Sequence, residues 1–189
     1  MSGLIHRAWA MPSANTFSIA PIYELLRRHM VGCAVIVDPF ARNSRITTVR
    51  NDLNPNTSAE HHEDAIVFLG GQPTGCADAV LFDPPYSPRQ IAEAYQSIGR
   101  SVGMSDTQNA ALYAQARAEL HRILRPGGVA ITCGWNSTGM GKMLGYERIE
   151  TLLVCHSGAH NDTIVVVERK LIMEPSMFEC KGACECLTN

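Results

Sequence analysis

The sequence predicts an α/β domain built on a doubly wound, mostly parallel sheet that ends in an antiparallel hairpin. Three observations carry this. Short apolar runs end abruptly in Asp, as at the β-branched 34–37 before Asp38 and at 79–82 before Asp83. Segments with helical periodicity stand between such runs. Two further β-branched runs, 149–155 and 163–168, flank a single polar turn.

The first helix is expected over 20–31, where Ile22, Leu25, Leu26 and Met30 share one face and Gly32 follows as a C-cap. Residues 34–37 read as a buried parallel strand, broken by Asp38-Pro39-Phe40-Ala41-Arg42-Asn43-Ser44. A second short strand over 46–49 leads into Asn51-Asp52-Leu53-Asn54-Pro55, and 64–69 reads as a helical turn before Gly70-Gly71. Residues 79–82 form the next buried strand, stopped by Asp83-Pro84-Pro85-Tyr86. Helices follow over 88–100 and 107–124, the second with Leu112, Ala116, Leu120 and Leu124 at i, i+4 spacing. Arg125-Pro126-Gly127-Gly128 ends that helix, and 129–133 is the strand before the hairpin.

With 189 residues, 46% of them hydrophobic, the chain can bury one sizeable core and is short for two domains. Residues 1–171 are therefore read as one domain and 172–189 as a polar tail containing Cys180, Cys184 and Cys186. No apolar run approaches the roughly 20 residues that cross a bilayer, so no membrane is expected as a partner. His6 and Arg7 precede no apolar run of signal-peptide length, which places the protein in the cytoplasm. There Cys33, Cys76, Cys133 and Cys155 read as small buried hydrophobes rather than a disulfide framework. The tail cysteines match no standard four-ligand zinc set, and no metal is expected. A net charge of -2 gives no overall attraction to a polyanion, so a nucleic-acid partner has to be met by a local basic patch.

Ligands of open α/β sheets bind outside the carboxyl ends of the strands, and Asp38, Asp52, Asp64 and Asp83 all stand at such ends. They point to one cleft. Asp83-Pro84-Pro85-Tyr86 is the most specific signal: two prolines fix φ and remove two N–H donors, which leaves a rigid set of acceptors. The Asp83 carboxylate and the Pro84 carbonyl can take the two N–H bonds of an exocyclic base amine and turn its lone pair outward. Tyr86 offers a ring on which an extruded base can stack. The alternative reading is a turn that merely terminates a strand.

These residues resemble the amino-methyltransferases that carry Asp-Pro-Pro-Tyr, especially small phage and prophage DNA adenine methyltransferases. The resemblance covers Phe17 to Leu171. It rests on Thr16-Phe17-Ser18-Ile19-Ala20-Pro21-Ile22, Val37-Asp38-Pro39-Phe40-Ala41, Asn51-Asp52-Leu53-Asn54-Pro55 and Asp83-Pro84-Pro85-Tyr86, in that order. It implies a Rossmann-like class I methyltransferase fold and S-adenosylmethionine as cofactor. It further implies that Asp38, Phe40 and Ala41 lie at the methionine portion, Asp52 at the ribose hydroxyls and Asp64 at the adenine. Phe17 is similar in position to an aromatic that packs on the cofactor, or is a hydrophobic staple. Asp52 equally suits an Asx turn with Asn51. Arg42 and Ser44 stand where the family's first loop has glycines that let the backbone approach the cofactor.

The resemblance implies Asp83, Pro84, Pro85 and Tyr86 as the catalytic loop, with Tyr86, Ser87, Trp135 and Asn136 on the substrate side. Residues 134–142 combine an aromatic, an amide, hydroxyls and Lys142, and form a wall of a base pocket, a phosphate grip or a flexible connection. Residues 156–162 read as a polar turn or a histidine-bearing site. Methyl transfer from a sulfonium is a direct displacement, so the cysteines receive no role. The expected partner is DNA, with adenine N6 as acceptor. An RNA-base methyltransferase and a non-catalytic binding module are the alternatives. The stretch from Ser44 to Asp83 leaves no room for a target-recognition domain, so specificity falls to short loops such as 87–106 or to a homodimer or other partner.

Overall fold

This computed structural model describes residues 3–96, 98–100, 109–158 and 160–172. Residues 101–108, the side chain of Leu112, and Cys180, Cys184 and Cys186 lie outside them.

The chain runs β1 (Leu4–Trp9), α1 (Ala20–His29), β2 (Ile36–Asp38), β3 (Val49–Arg50), α2 (Ala65–Gly71), β4 (Ala77–Phe82), α3 (Pro88–Gln96), α4 (Asn109–Ile123), β5 (Leu124–Gly134), β6 (Tyr146–Cys155) and β7 (Thr163–Lys170). The strands form one sheet in the order β1-β6-β7-β5-β4-β2-β3. Neighbours are parallel except where β7 is inserted antiparallel between β5 and β6. The predicted doubly wound sheet and its closing hairpin are both present.

Both sheet faces are covered, and the strand alternation shows it. On β4, Ala79 and Leu81 pack with Ile22, Leu25 and Leu26 of α1, whereas Ala77, Val80 and Phe82 pack with Phe68 of α2 and Leu120 and Ile123 of α4. α1 forms because Pro21 sits in its first turn, Ile22, Leu25 and Leu26 line one stripe, and Arg27, Arg28 and His29 complement the dipole at its end. It closes two residues earlier than expected, with Met30 N–H donating to the Leu26 carbonyl (2.9 Å) and Gly32 taking the left-handed φ of 79°.

Three boundaries moved for identifiable reasons. β2 starts at Ile36 rather than 34, because the Asp78 carboxylate captures the Ala34 and Val35 N–H groups (2.7 and 2.8 Å). The second strand shifts to Val49–Arg50, because Thr48 Oγ1 takes the Ile36 N–H at 2.8 Å. β5 begins at Leu124 and absorbs the expected stop as a bulge between the pairs Ala77↔Leu124 and Ala79↔Val129. Gly128 is required there, since a Cβ would meet Arg125 O and Asp78 O at 2.9 Å each.

β1 had no sequence-level expectation. It is an edge strand, parallel to β6 from Leu4↔Glu150 to Trp9↔Cys155. Its residues are almost all exposed, so it shows neither the apolar run of a buried strand nor an alternating pattern. No described helix is long and apolar enough to cross a membrane.

Candidate active site

The chain leaves β2 towards β3 and returns on its other side as β4. This reversal opens a crevice beyond the carboxyl ends of the two strands. A cleft of about 790 Å³ lies there. Its wall is drawn from the loop after β2 (Phe40, Arg42), the loop after β3 (Asp52), the start of α2 (Asp64) and the loop after β4 (Asp83 to Tyr86).

Asp83, Pro84, Pro85 and Tyr86 all line the cleft. The Asp83 carboxylate accepts from the Tyr86 hydroxyl and from the Thr16 side chain. Burial pushes the Asp83 carboxyl above the usual range, against the pull of these two bonds and of Arg42. Burial and the adjoining Asp83 likewise push the Tyr86 hydroxyl far up, so it stays a proton donor. The loop is held from outside as well. Gln90 Oε1 accepts the Tyr86 N–H (2.6 Å), and Tyr113 donates its hydroxyl to the Pro85 carbonyl (3.0 Å). Among the described residues, no donor is bonded to the Pro84 carbonyl.

Asp52 and Asp64 reach the same cleft and have structural partners too. Asp52 Oδ1 accepts from Asn54 N–H (2.9 Å), an Asx turn that runs forward rather than pairing with Asn51, and Oδ2 accepts from Arg42 N–H (3.1 Å). Each oxygen keeps a second lone pair for a ligand hydroxyl. Asp64 caps α2 through Ile66 N–H (2.9 Å) and accepts the Tyr95 hydroxyl at 2.6 Å.

Phe17, Asp38 and Ala41 do not line the cleft, contrary to the roles implied for them. Phe17 is 5% exposed and belongs to the core beside α1. Ala41 is buried behind the loop, its N–H donated to the Asn51 carbonyl (2.8 Å). Asp38 is completely buried, with Oδ1 accepting Phe40 N–H at 3.0 Å. Its Oδ2 has no partner among the described residues. Burial, with Asp83 and Asp52 close by, pushes the Asp38 carboxyl up to about 8, so it is largely protonated at neutrality. Asp38 therefore shapes the loop from beneath, whereas Phe40 alone of these residues faces the cleft.

Sequence reasoning passed over Asn51, which ties this wall together. Fully buried, its amide donates to the carbonyls of Pro39 (3.1 Å) and Glu63 (3.0 Å) and accepts Glu63 N–H (3.0 Å). Its sequence context reads as an ordinary turn, so only the fold reveals this work.

A second cavity of about 440 Å³ lies beyond Tyr86, over the carboxyl end of β5. Tyr86 and Trp135 line both spaces, their ring centroids 5.4 Å apart. Asn136 also lines the second cavity, and its Oδ1 is used by Thr138 N–H (3.0 Å). Tyr113 and Arg117, unassigned from sequence, form its other side, with the guanidinium 5.8 Å from the Tyr113 ring centroid. Their i, i+4 spacing on α4 was the available signal. Ser87 lines neither cavity; it caps α3, accepting Gln90 N–H at 3.3 Å. In the turn after β6, the His156 ring is engaged by the Ala10 carbonyl (2.7 Å) and Thr163 Oγ1 (3.0 Å).

No family model and no curated protein matches the chain. Solved structures do match it in fold. One is the Burkholderia thailandensis 1,6-didemethyltoxoflavin-N1-methyltransferase, crystallised with 1,6-didemethyltoxoflavin and S-adenosylhomocysteine. It has a TM-score of 0.53 and 14% identity over 80% of this chain and 77% of that one. Another is the N-methyltransferase NodS from Bradyrhizobium japonicum WM9, with a TM-score of 0.52 and 11% identity over 85% of this chain and 100% of that one. The fold is the Rossmann-like α/β fold of class I methyltransferases.

Proposed function

We propose that this protein is an S-adenosylmethionine-dependent methyltransferase that methylates the exocyclic N6 amine of adenine in DNA. The observation that carries the reading is the place of Asp83-Pro84-Pro85-Tyr86: on the switch-point cleft, with Tyr86 and Trp135 forming the partition to a second, aromatic cavity. The larger space carries polar groups that suit the cofactor. The Asp52 carboxylate suits vicinal ribose hydroxyls, Asp64 with Tyr95 suits an adenine edge, and the volume holds a nucleoside carrying an amino-acid chain. The bound cofactor supplies an electrophilic methyl group on a sulfonium.

The protein's part is orientation. The Asp83 carboxylate and the Pro84 carbonyl accept the two N–H bonds of the amine, which directs its nitrogen lone pair towards the cofactor side. The Tyr86 hydroxyl holds Asp83 in place, and the Tyr86 ring, packed on Trp135, offers the entering base a face to stack on. The nitrogen gains the methyl group and loses one proton; Asp83, in contact with that proton, is placed to receive it. An adenine in a duplex has to be extruded to reach this position.

Incubation with labelled S-adenosylmethionine and unmethylated duplex DNA, with a parallel arm of structured RNA, tests this. N6-methyldeoxyadenosine in the DNA digest is the expected product. Label confined to RNA transfers the activity to that acceptor, and cofactor binding without transfer to either makes the chain a binding module.

A further inference from the structure

Arg42 has a backbone φ of 50°, and among the described residues it alone combines a side chain with a positive φ. Glycine takes this conformation freely, whereas a residue with a Cβ is strained in it. Surrounding bonds hold the strain: Asp52 Oδ2 takes the Arg42 N–H, and the Ala41 carbonyl takes the Ser44 N–H (2.8 Å). The strained residue stands on the wall of the cleft.

That side chain turns along the cleft. Its Nη1 donates to the Ala14 carbonyl (2.9 Å), and its charge acts on Asp83. Among the described residues, Arg42 is the sole Arg or Lys lining the cleft, against the carboxylates of Asp52, Asp64, Asp83 and Glu93. An amino-acid chain entering such a space brings a carboxylate that those acids repel. The planar guanidinium has five donors, and Ala14 uses one of them.

We propose that Arg42 is the carboxylate anchor of the cleft, binding the α-carboxylate of S-adenosylmethionine through its guanidinium, which replaces with a side chain the close backbone approach that glycine would permit. The inference rests on the cofactor reading above and assigns the residue that holds the amino-acid end. Asp52 and Asp64 face the ribose and adenine, so Arg42, in reach of Asp83, marks the end where the methyl group is delivered.

The test compares binding of S-adenosylmethionine and of its decarboxylated form, which keeps the ammonium and sulfonium but has no carboxylate, to the wild type and to Arg42→Gly. Glycine is at ease at this φ, so the variant keeps the fold, which its melting temperature checks. The wild type should prefer S-adenosylmethionine. Arg42→Gly should lose roughly ten- to a hundredfold in affinity for it, with the decarboxylated form unchanged. Equal loss for both ligands, no loss for either, or no preference in the wild type overturns the anchor and leaves the cofactor reading standing. A wild type that binds neither overturns both.

Discussion

Two of the loops that form the cleft are held by opposite means. The Asp83 loop is stiffened covalently by Pro84 and Pro85, and its carboxylate faces the cleft, restrained by Thr16 and Tyr86. The loop after β2 is stiffened from beneath: Asp38 and Asn51 are both completely buried, and Asp38 Oδ1 and the Asn51 amide secure backbone groups. An aspartate at the carboxyl end of a strand faces the cleft in one loop and fastens the loop from beneath in the other.

This contrast can be broken most forcefully at Asp83. Asp83→Ala should lower methyl transfer by roughly 10²- to 10³-fold while S-adenosylmethionine affinity stays within a few fold, because the carboxylate acts on the acceptor amine. Parallel loss of both would move Asp83 into the cofactor site. Asn51→Ala strikes the opposite loop. Leaving the Pro39 and Glu63 backbone groups without their partner should cost roughly 2–3 kcal/mol in denaturant unfolding, and cofactor affinity should fall with the loop's order.

The pH profiles sharpen the same contrast. In the proposed role Asp83 accepts N–H bonds as a carboxylate, and burial raises its pKa. Transfer should fall as pH drops through that raised value, with the acid limb displaced towards neutrality from an ordinary Asp, as single-turnover rates against pH would show. Asp38 should act on stability. Its folded value of about 8 lies above the ordinary 3.8, so its contribution is fully present below 3.8 and is lost as pH rises to about 8. Asp38→Asn cannot ionise and keeps an acceptor for Phe40 N–H. Its melting temperature relative to wild type should climb over that window and level off above it.

The order of strands and helices was legible because buried parallel strands must be apolar on both faces, as β4 and β5 are, and because proline, glycine and aspartate punctuate their ends. β1 was not legible, since an edge strand needs no apolar face. The Asp83 loop was legible for a related reason: its tetrapeptide carries its own rigidity. The roles of Asp38, Ala41 and Phe17 were not, because sequence places a residue at a strand end without telling which way its side chain turns. Arg117 and Tyr113 come to the second cavity only through the packing of α4 against β5, a tertiary relation with a weak local trace.

Orientation of an exocyclic adenine amine by the Asp83 loop is open to a direct test. Duplex DNA in which every adenine is replaced by hypoxanthine keeps the purine ring and puts a carbonyl in place of that amine. With labelled S-adenosylmethionine, incorporation is expected into adenine-containing DNA and none into the hypoxanthine duplex. Undiminished incorporation into the hypoxanthine duplex would contradict that orientation.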